Sequence, residues 1–218
     1  LSSSSAASDV YKRQLVGSNI FVNNQANMGV FFGIAFWSLF FFIPALTMKM
    51  VAEENRLGTI ELLTTKDITD GQIIRGKFFA CLILIFISLI CTLPYYITIS
   101  QLGNIDDGAV IGGYVGLLFL SGSYVAIGLF ASSITTNQIV AFLVALFVGI
   151  FFHLLFDVMG TSTSGVLGSF FNYLSMRVHF DSISRGVVDS RDLVYFGSII
   201  TMGLYLAELM LSKRNWQS

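Results

Sequence analysis

An all-α, polytopic membrane protein is the fold class this sequence predicts, and three observations predict it. Hydrophobic residues fill 55% of the 218 positions and charged residues 11%, far below the roughly 25% charged residues of soluble domains. The mean hydropathy is +0.77. The apolar residues gather in five runs, each near the ~20 residues a helix needs to cross a hydrocarbon core about 30 Å thick. Between the first two runs lies a polar island, residues 49–77, that holds ten of the charged side chains. A stretch so charged is too costly to bury in hydrocarbon and has to emerge at one membrane face.

The spans run over about 29–48, 78–99, 110–131, 139–157 and 193–211. Pro44 and Pro94 fall inside the first two and predict kinks near the membrane boundary. The opening segment 1–14 (LSSSSAASDVYKRQ) is polar, low in complexity and unlike the rest. It is set aside as a non-native tail, which leaves 15–218 as one transmembrane domain. The chain opens on Leu, and the expectation is a native six-span protein whose first span is missing.

Basic residues predict the orientation. Lys49, Arg56, Lys66, Arg75, Lys77, Lys213 and Arg214 belong to one side, and Arg177, Arg185 and Arg191 to the other. The excess places the 49–77 segment and the C-terminus in the cytoplasm, with 158–192 outside. Glu208, one turn from Lys213 and Arg214, reads as a snorkelling ion pair at the inner boundary.

Within the island, Thr69 and Gln72 match the capping box, so a helix starts at Thr69 and runs into the second span. Upstream, Ala52, Leu57, Ile60 and Leu63 form an apolar stripe near helical spacing, with Gly58 as its break and a turn near Thr65–Ile68. On the outer side, Met176, Phe180, Ile183 and Val187 recur at helical spacing, while Arg177, Asp181 and Arg185 repeat on another face. That pattern predicts an amphipathic helix lying at, or dipping into, the outer membrane face.

Several chemistries are excluded or weak. A net charge of -1 argues against a nucleic-acid partner. Cys81 and Cys91 stand ten residues apart on one presumed helix, about 15 Å and too far to bridge. Gly71 to Lys77 fits G-x-x-x-x-G-K, but Phe78 follows where a phosphate loop needs Ser or Thr, and no strand precedes. Two His and two Cys, scattered singly, make no metal cluster, and no catalytic set assembles. His153 and Asp157, four apart, share a helical face and suggest either a proton relay or a polar pair at the headgroup boundary. Gly29-x-x-x-Gly33 and Gly112-x-x-x-Gly116 carry the small-residue spacing of close helix packing.

Three strings carry a resemblance. They are Ile43-Pro44-Ala45-Leu46-Thr47-Met48, then Ala52-Glu53-Glu54 through Gly58-Thr59-Ile60-Glu61-Leu62-Leu63, then Gly76-Lys77. Later, His179-Phe180, Ile183, Arg185-Gly186-Val187-Val188-Asp189, Arg191-Asp192 and Tyr195 extend it. From about residue 19 onward the chain resembles the permease subunit of type-2 ABC transporters (ABC-2 permeases), and is similar in particular to the gliding-motility-associated branch. The resemblance implies a bacterial inner-membrane exporter subunit without its own ATPase site or cofactor. Its implied partners are a separate ABC ATPase that binds ATP, and a second permease subunit, alike or different. It also implies that Glu53, Glu54, Gly58, Thr59, Glu61 and Leu62 belong to a coupling helix that docks on the ATPase, with Gly76 and Lys77 at the return into the membrane. The family often has Pro where Asp67 stands, which leaves the turn after that helix open. Met176, Phe180, Ile183, Arg185 and Val187 would belong to the outer amphipathic helix, lining or capping an exit. Two rivals remain from the residues alone: a secondary transporter or channel using His153 and Asp157, and a non-transporting anchor for a cytosolic machine.

Overall fold

The computed structural model describes residues 28–59, 69–103, 105–163, 165–187 and 189–215. Among these the chain is entirely helical. We number the helices α1 (Gly29–Thr47), α2 (Ala52–Leu57), α3 (Asp70–Ile90), α4 (Leu93–Leu102), α5 (Asp107–Ile134), α6 (Gln138–Ile150), α7 (Phe156–Ser162), α8 (Val166–Leu174), α9 (Met176–Ser184) and α10 (Ser190–Asn215). A π-helical turn, Phe151–Leu155, joins α6 to α7. Five stretches are long and apolar enough to cross a membrane: Gly29–Leu57, Asp70–Gln101, Asp107–Ile134, Gln138–Ser162 and Ser190–Lys213. Each contains one of the expected spans.

The third span, α5, is the hub. Its most apolar window is 78% buried against 22–28% for the other four, and α1, α3, α6, α9 and α10 all pack on it. Small residues along α5 permit this, because lipid supplies no hydrophobic drive between helices and close backbone approach must hold them. A side chain on Gly112 would run into the Ile183 carbonyl of α9, and one on Gly116 would meet the Phe180 ring at 3.1 Å. The Gly112/Gly116 spacing therefore serves packing, against α9. Gly33 faces open space, so the equivalent spacing on α1 has no such use at that residue. Two serines in the middle of α5 are satisfied inside the helix: Ser121 donates to the Leu117 carbonyl at 2.6 Å and Ser123 to that of Phe119 at 3.1 Å. The outer faces of the other spans present large apolar side chains such as Phe42, Ile139 and Val194, each more than 65% exposed, as a hydrocarbon-facing surface requires.

Helix ends follow local chemistry. Thr69 caps α3 through the expected box: its hydroxyl accepts from the Gln72 amide at 3.4 Å and the Gln72 side chain accepts from the Thr69 amide at 3.1 Å. Asp106 caps α5 by accepting from the amides of Gly108 and Ala109. Pro94 acts more strongly than a kink. Its ring excludes the carbonyl four residues earlier, that of Ile90, so α3 stops at Ile90 and Pro94 sits in the first turn of α4. At Pro44 the helix runs on to Thr47 without a break.

Three expectations need correction. The helix expected on the outer side, α9, ends at Ser184, and Gly186 then adopts a φ of +85°. Val187 therefore leaves the Met176–Phe180–Ile183 face and is 66% exposed. That face does not lie on the membrane surface either, since Met176, Phe180 and Ile183 are buried against the bundle. The helix with an exposed apolar face is α8, through Val166, Leu167, Phe170 and Tyr173. Finally, the apolar stripe upstream of Gly58 splits: Ala52 is buried, Leu57 is 61% exposed, and Asn55 takes the inward place. Ile60 and Leu63 lie outside the described residues.

Candidate functional site

The short helix α2 and the spans beneath it form the candidate site. Chain geometry leaves the first amides of a helix without internal partners, and α2 has no capping side chain of its own. Ser132, at the end of α5, supplies the cap from elsewhere in the chain. Its hydroxyl accepts from the amides of Val51 at 3.1 Å and Ala52 at 2.9 Å, and donates to the Met48 carbonyl at 3.0 Å. One hydroxyl thus spends its whole hydrogen-bonding capacity on the turn between α1 and α2. Ser132→Ala leaves buried amides unpaired, at a cost of about 1–3 kcal/mol. We expect faster hydrogen exchange at Val51 and Ala52 with α5 itself unchanged.

A second brace comes from α3. Lys77 donates to the Met50 carbonyl at 2.5 Å and pairs with Glu54 Oε1 at 2.5 Å. The two side chains are 15% and 31% exposed, so this pair is partly screened from water. Glu54 is thereby committed inward, and its expected role as a charge offered to a partner does not fit. Glu53 is half-buried, while Arg56, Leu57 and Gly58 face outward. Gly58 closes the helix in the left-handed region at φ 68°, where a side chain would be strained, and donates to the Glu54 carbonyl. The Thr59 hydroxyl reaches the same carbonyl at 3.5 Å. Gly76 is exposed with nothing near the position of an added Cβ, so packing gives it no role. Glu61 and Leu62 lie outside the described residues.

The site and the chain's last span share one end of the bundle. The Glu208 carboxylate lies against Gly71 in the first turn of α3, at the amide end of that helix. The helix dipole favours this placement; the side chain of Arg214, one of the two expected partners of Glu208, lies outside the described residues.

At the opposite end, sequence reasoning missed the strongest polar contact. His179 of α9 and Asp192 of α10 are both buried and meet at 2.6 Å between Nδ1 and Oδ1. His179 Nε2 donates to the Tyr173 carbonyl at 2.9 Å, and the imidazole stacks on Tyr195 with centroids 3.9 Å apart. Tyr195 in turn donates to the Leu174 carbonyl at 2.6 Å. The expected ion pairing along α9 is present but loose, with Arg177 Nε and Asp181 Oδ2 3.8 Å apart.

His153 does not use Asp157. It points inward from the π-helical turn, bonds the Tyr124 hydroxyl of α5 through Nδ1, and stacks on Phe36 and Phe40 at 4.1 and 4.6 Å. Asp157 stays half-buried in α7.

A hub helix ringed by lipid-facing spans, with a polar helix braced at one end, defines a multi-pass helical membrane protein. Comparison with curated proteins returned no match. A family profile described as ABC-2 family transporter protein matches residues 3–210. The chain belongs to that family, and is the membrane permease component of such a transporter. Membership implies partnership with an ABC ATPase and a transport subunit without an ATPase site of its own.

Proposed function

We propose that this chain couples ATP hydrolysis by a cytosolic ATPase to outward substrate movement, with α2 as the coupling element. One observation carries the proposal: α2 is tied to two different spans, at its first turn by Ser132 of α5 and through Glu54 by Lys77 of α3, while Leu57 at its tip is exposed. A short element braced in this way cannot tilt alone, so a push on Leu57 or Glu53 reaches the hub helix as a rigid-body displacement. The working unit is a pair of permease subunits in a bacterial inner membrane, with 49–77 in the cytoplasm and α9 near the exit. Kinship with gliding-motility-associated permeases is supported by the sequence strings from Ile43 to Leu63 and from His179 to Tyr195. The rival use of His153 and Asp157 as a proton relay is weakened by the pairing of His153 with Tyr124.

Two measurements test the coupling assignment. In a Cys81→Ser, Cys91→Ser background, Leu57→Cys should react with a membrane-impermeant maleimide only after the cytoplasmic face is opened. Glu53→Lys should reduce co-purification of the ATPase at least about tenfold, since charge reversal at a docking surface opposes its partner, while membrane insertion is unchanged. Labelling from the outer face, or full co-purification, removes α2 from the coupling path.

A further inference from the structure

At the end of the bundle remote from α2, α1, the start of α5 and α9 line an open cleft of ≈ 580 Å³. That volume lies within the roughly 300–1,000 Å³ typical of small-molecule sites. Two kinds of lining divide it. Phe32, Trp37 and Phe180 supply aromatic surface, and Asp106, Arg177 and Asp181 supply charge. Arg177 and Asp181 pair only loosely within α9, and Asp106 spends one carboxylate oxygen on capping α5, in contrast to the tightly paired, buried His179 and Asp192.

The charges are unequal, two carboxylates to one guanidinium. The Arg177–Asp181 distance of 3.8 Å is too long for a hydrogen bond, so Arg177 does not use up the Asp181 carboxylate. Asp106 Oδ1 accepts two helix amides, yet its negative charge still faces the cleft rim. Aromatic faces favour a cation by their quadrupole, and they add apolar surface that a simple metal ion would leave uncovered. Trp37 is 40% exposed while Phe32 and Phe180 are nearly covered, so the aromatic lining is open along the Trp37 side.

We propose that this cleft binds an amphiphile whose headgroup carries an ammonium, with the ammonium at the Asp106 and Asp181 carboxylates and the apolar portion along Trp37 and Phe32. Arg177 then stands where a phosphate of a zwitterionic headgroup would reach it, so lipid-type and simple amine amphiphiles share the same recognition. The proposal names a substrate class for the export reading and rests on it for the direction of movement. Binding itself is measured without the ATPase, so its failure is separate from failure of the coupling assignment.

Trp37 is a built-in reporter, since the chain has only one other tryptophan, Trp216. The full chain carrying Trp216→Phe is placed in nanodiscs of phosphoglycerol lipid. It is titrated with lysophosphatidylcholine, dodecyltrimethylammonium and lysophosphatidylglycerol, each below micelle formation. We expect a saturable Trp37 fluorescence change with the first two probes and none with the third. A response to lysophosphatidylcholine alone shows that the phosphate contact is required and identifies a lipid headgroup; a response to both shows that the ammonium suffices. Asp181→Asn should weaken dodecyltrimethylammonium binding about tenfold, whereas Arg177→Gln should leave it equal or tighter. Equal responses to all three probes, no saturable response, or weaker ammonium binding in Arg177→Gln overturns the proposal. The Arg177→Gln arm decides the matter even where Asp181→Asn fails to fold.

Discussion

His179→Ala should be the most destabilising single substitution at the end of the bundle remote from α2, costing about 3–5 kcal/mol, because it strands a buried carboxylate. The reason lies in how the pair is satisfied. The Tyr173 carbonyl can only accept, so His179 Nε2 carries a proton, and Nδ1 then faces the Asp192 carboxylate at 2.6 Å. Asp192 Oδ2 is already buried without a hydrogen-bond partner among the described residues. Removing the imidazole takes away the remaining partner of Oδ1 and the ring that covers Tyr195. Asp192→Asn should be milder, since an amide keeps the shape and removes the charge that needs compensation. The thermal midpoint of the purified chain in detergent should rank wild type above Asp192→Asn above His179→Ala. Hydrogen exchange should locate the loss in α8 and α9 first. Equal midpoints for wild type and His179→Ala would mean that apolar packing of Met176, Phe180 and Ile183 alone holds α9 in place.

What the sequence revealed and what it hid divide along chain separation. The box at Thr69 and Gln72 was legible because both partners lie within one turn, where backbone geometry fixes who can reach whom. The five spans were legible because hydrophobic length is a local property. Ser132 was not, since its partners Val51 and Ala52 lie 81 and 80 residues away and a serine near the end of an apolar helix has no distinguishing local pattern. Helix α9 shows the mixed case. Its inward face and the Gly112/Gly116 spacing were both visible, yet only the fold shows that each is the other's partner. The period then overran the helix, because a stripe continued arithmetically to Val187 takes no account of the left-handed turn at Gly186. His179 and Asp192 lie on separate helices thirteen residues apart, and their meeting depends on the turn between them. In the candidate site, the resemblance implies one docking helix holding Glu53, Glu54, Gly58 and Thr59, with Lys77 at the return into the membrane. The structure separates Glu54 and Lys77, which face each other, from the outward Leu57 and Gly58.

That separation yields the sharpest functional expectation, a charge swap between Glu54 and Lys77. If Glu54 served as a docking charge, Glu54→Lys would repel the partner and no change at Lys77 could restore it. Because Glu54 pairs with Lys77 at 2.5 Å instead, Glu54→Lys and Lys77→Glu should each uncouple the permease. Each single variant sets two like charges face to face in a partly buried place and forfeits a charged hydrogen bond of about 1.5–3 kcal/mol. The double variant Glu54→Lys, Lys77→Glu restores opposite charges at the same two positions and should recover a large part of the coupling. Recovery should stay incomplete, because Lys77 also donates to the Met50 carbonyl and a carboxylate there cannot. The readout is substrate-stimulated ATP hydrolysis by the reconstituted complex, with ATPase co-purification measured alongside. Uncoupling without loss of co-purification places the defect in the brace between α2 and α3, where force passes from the docked helix to the membrane. Loss of co-purification in both single variants, with no rescue in the double, places Glu54 at the docking surface after all and transfers the brace to Ser132 alone.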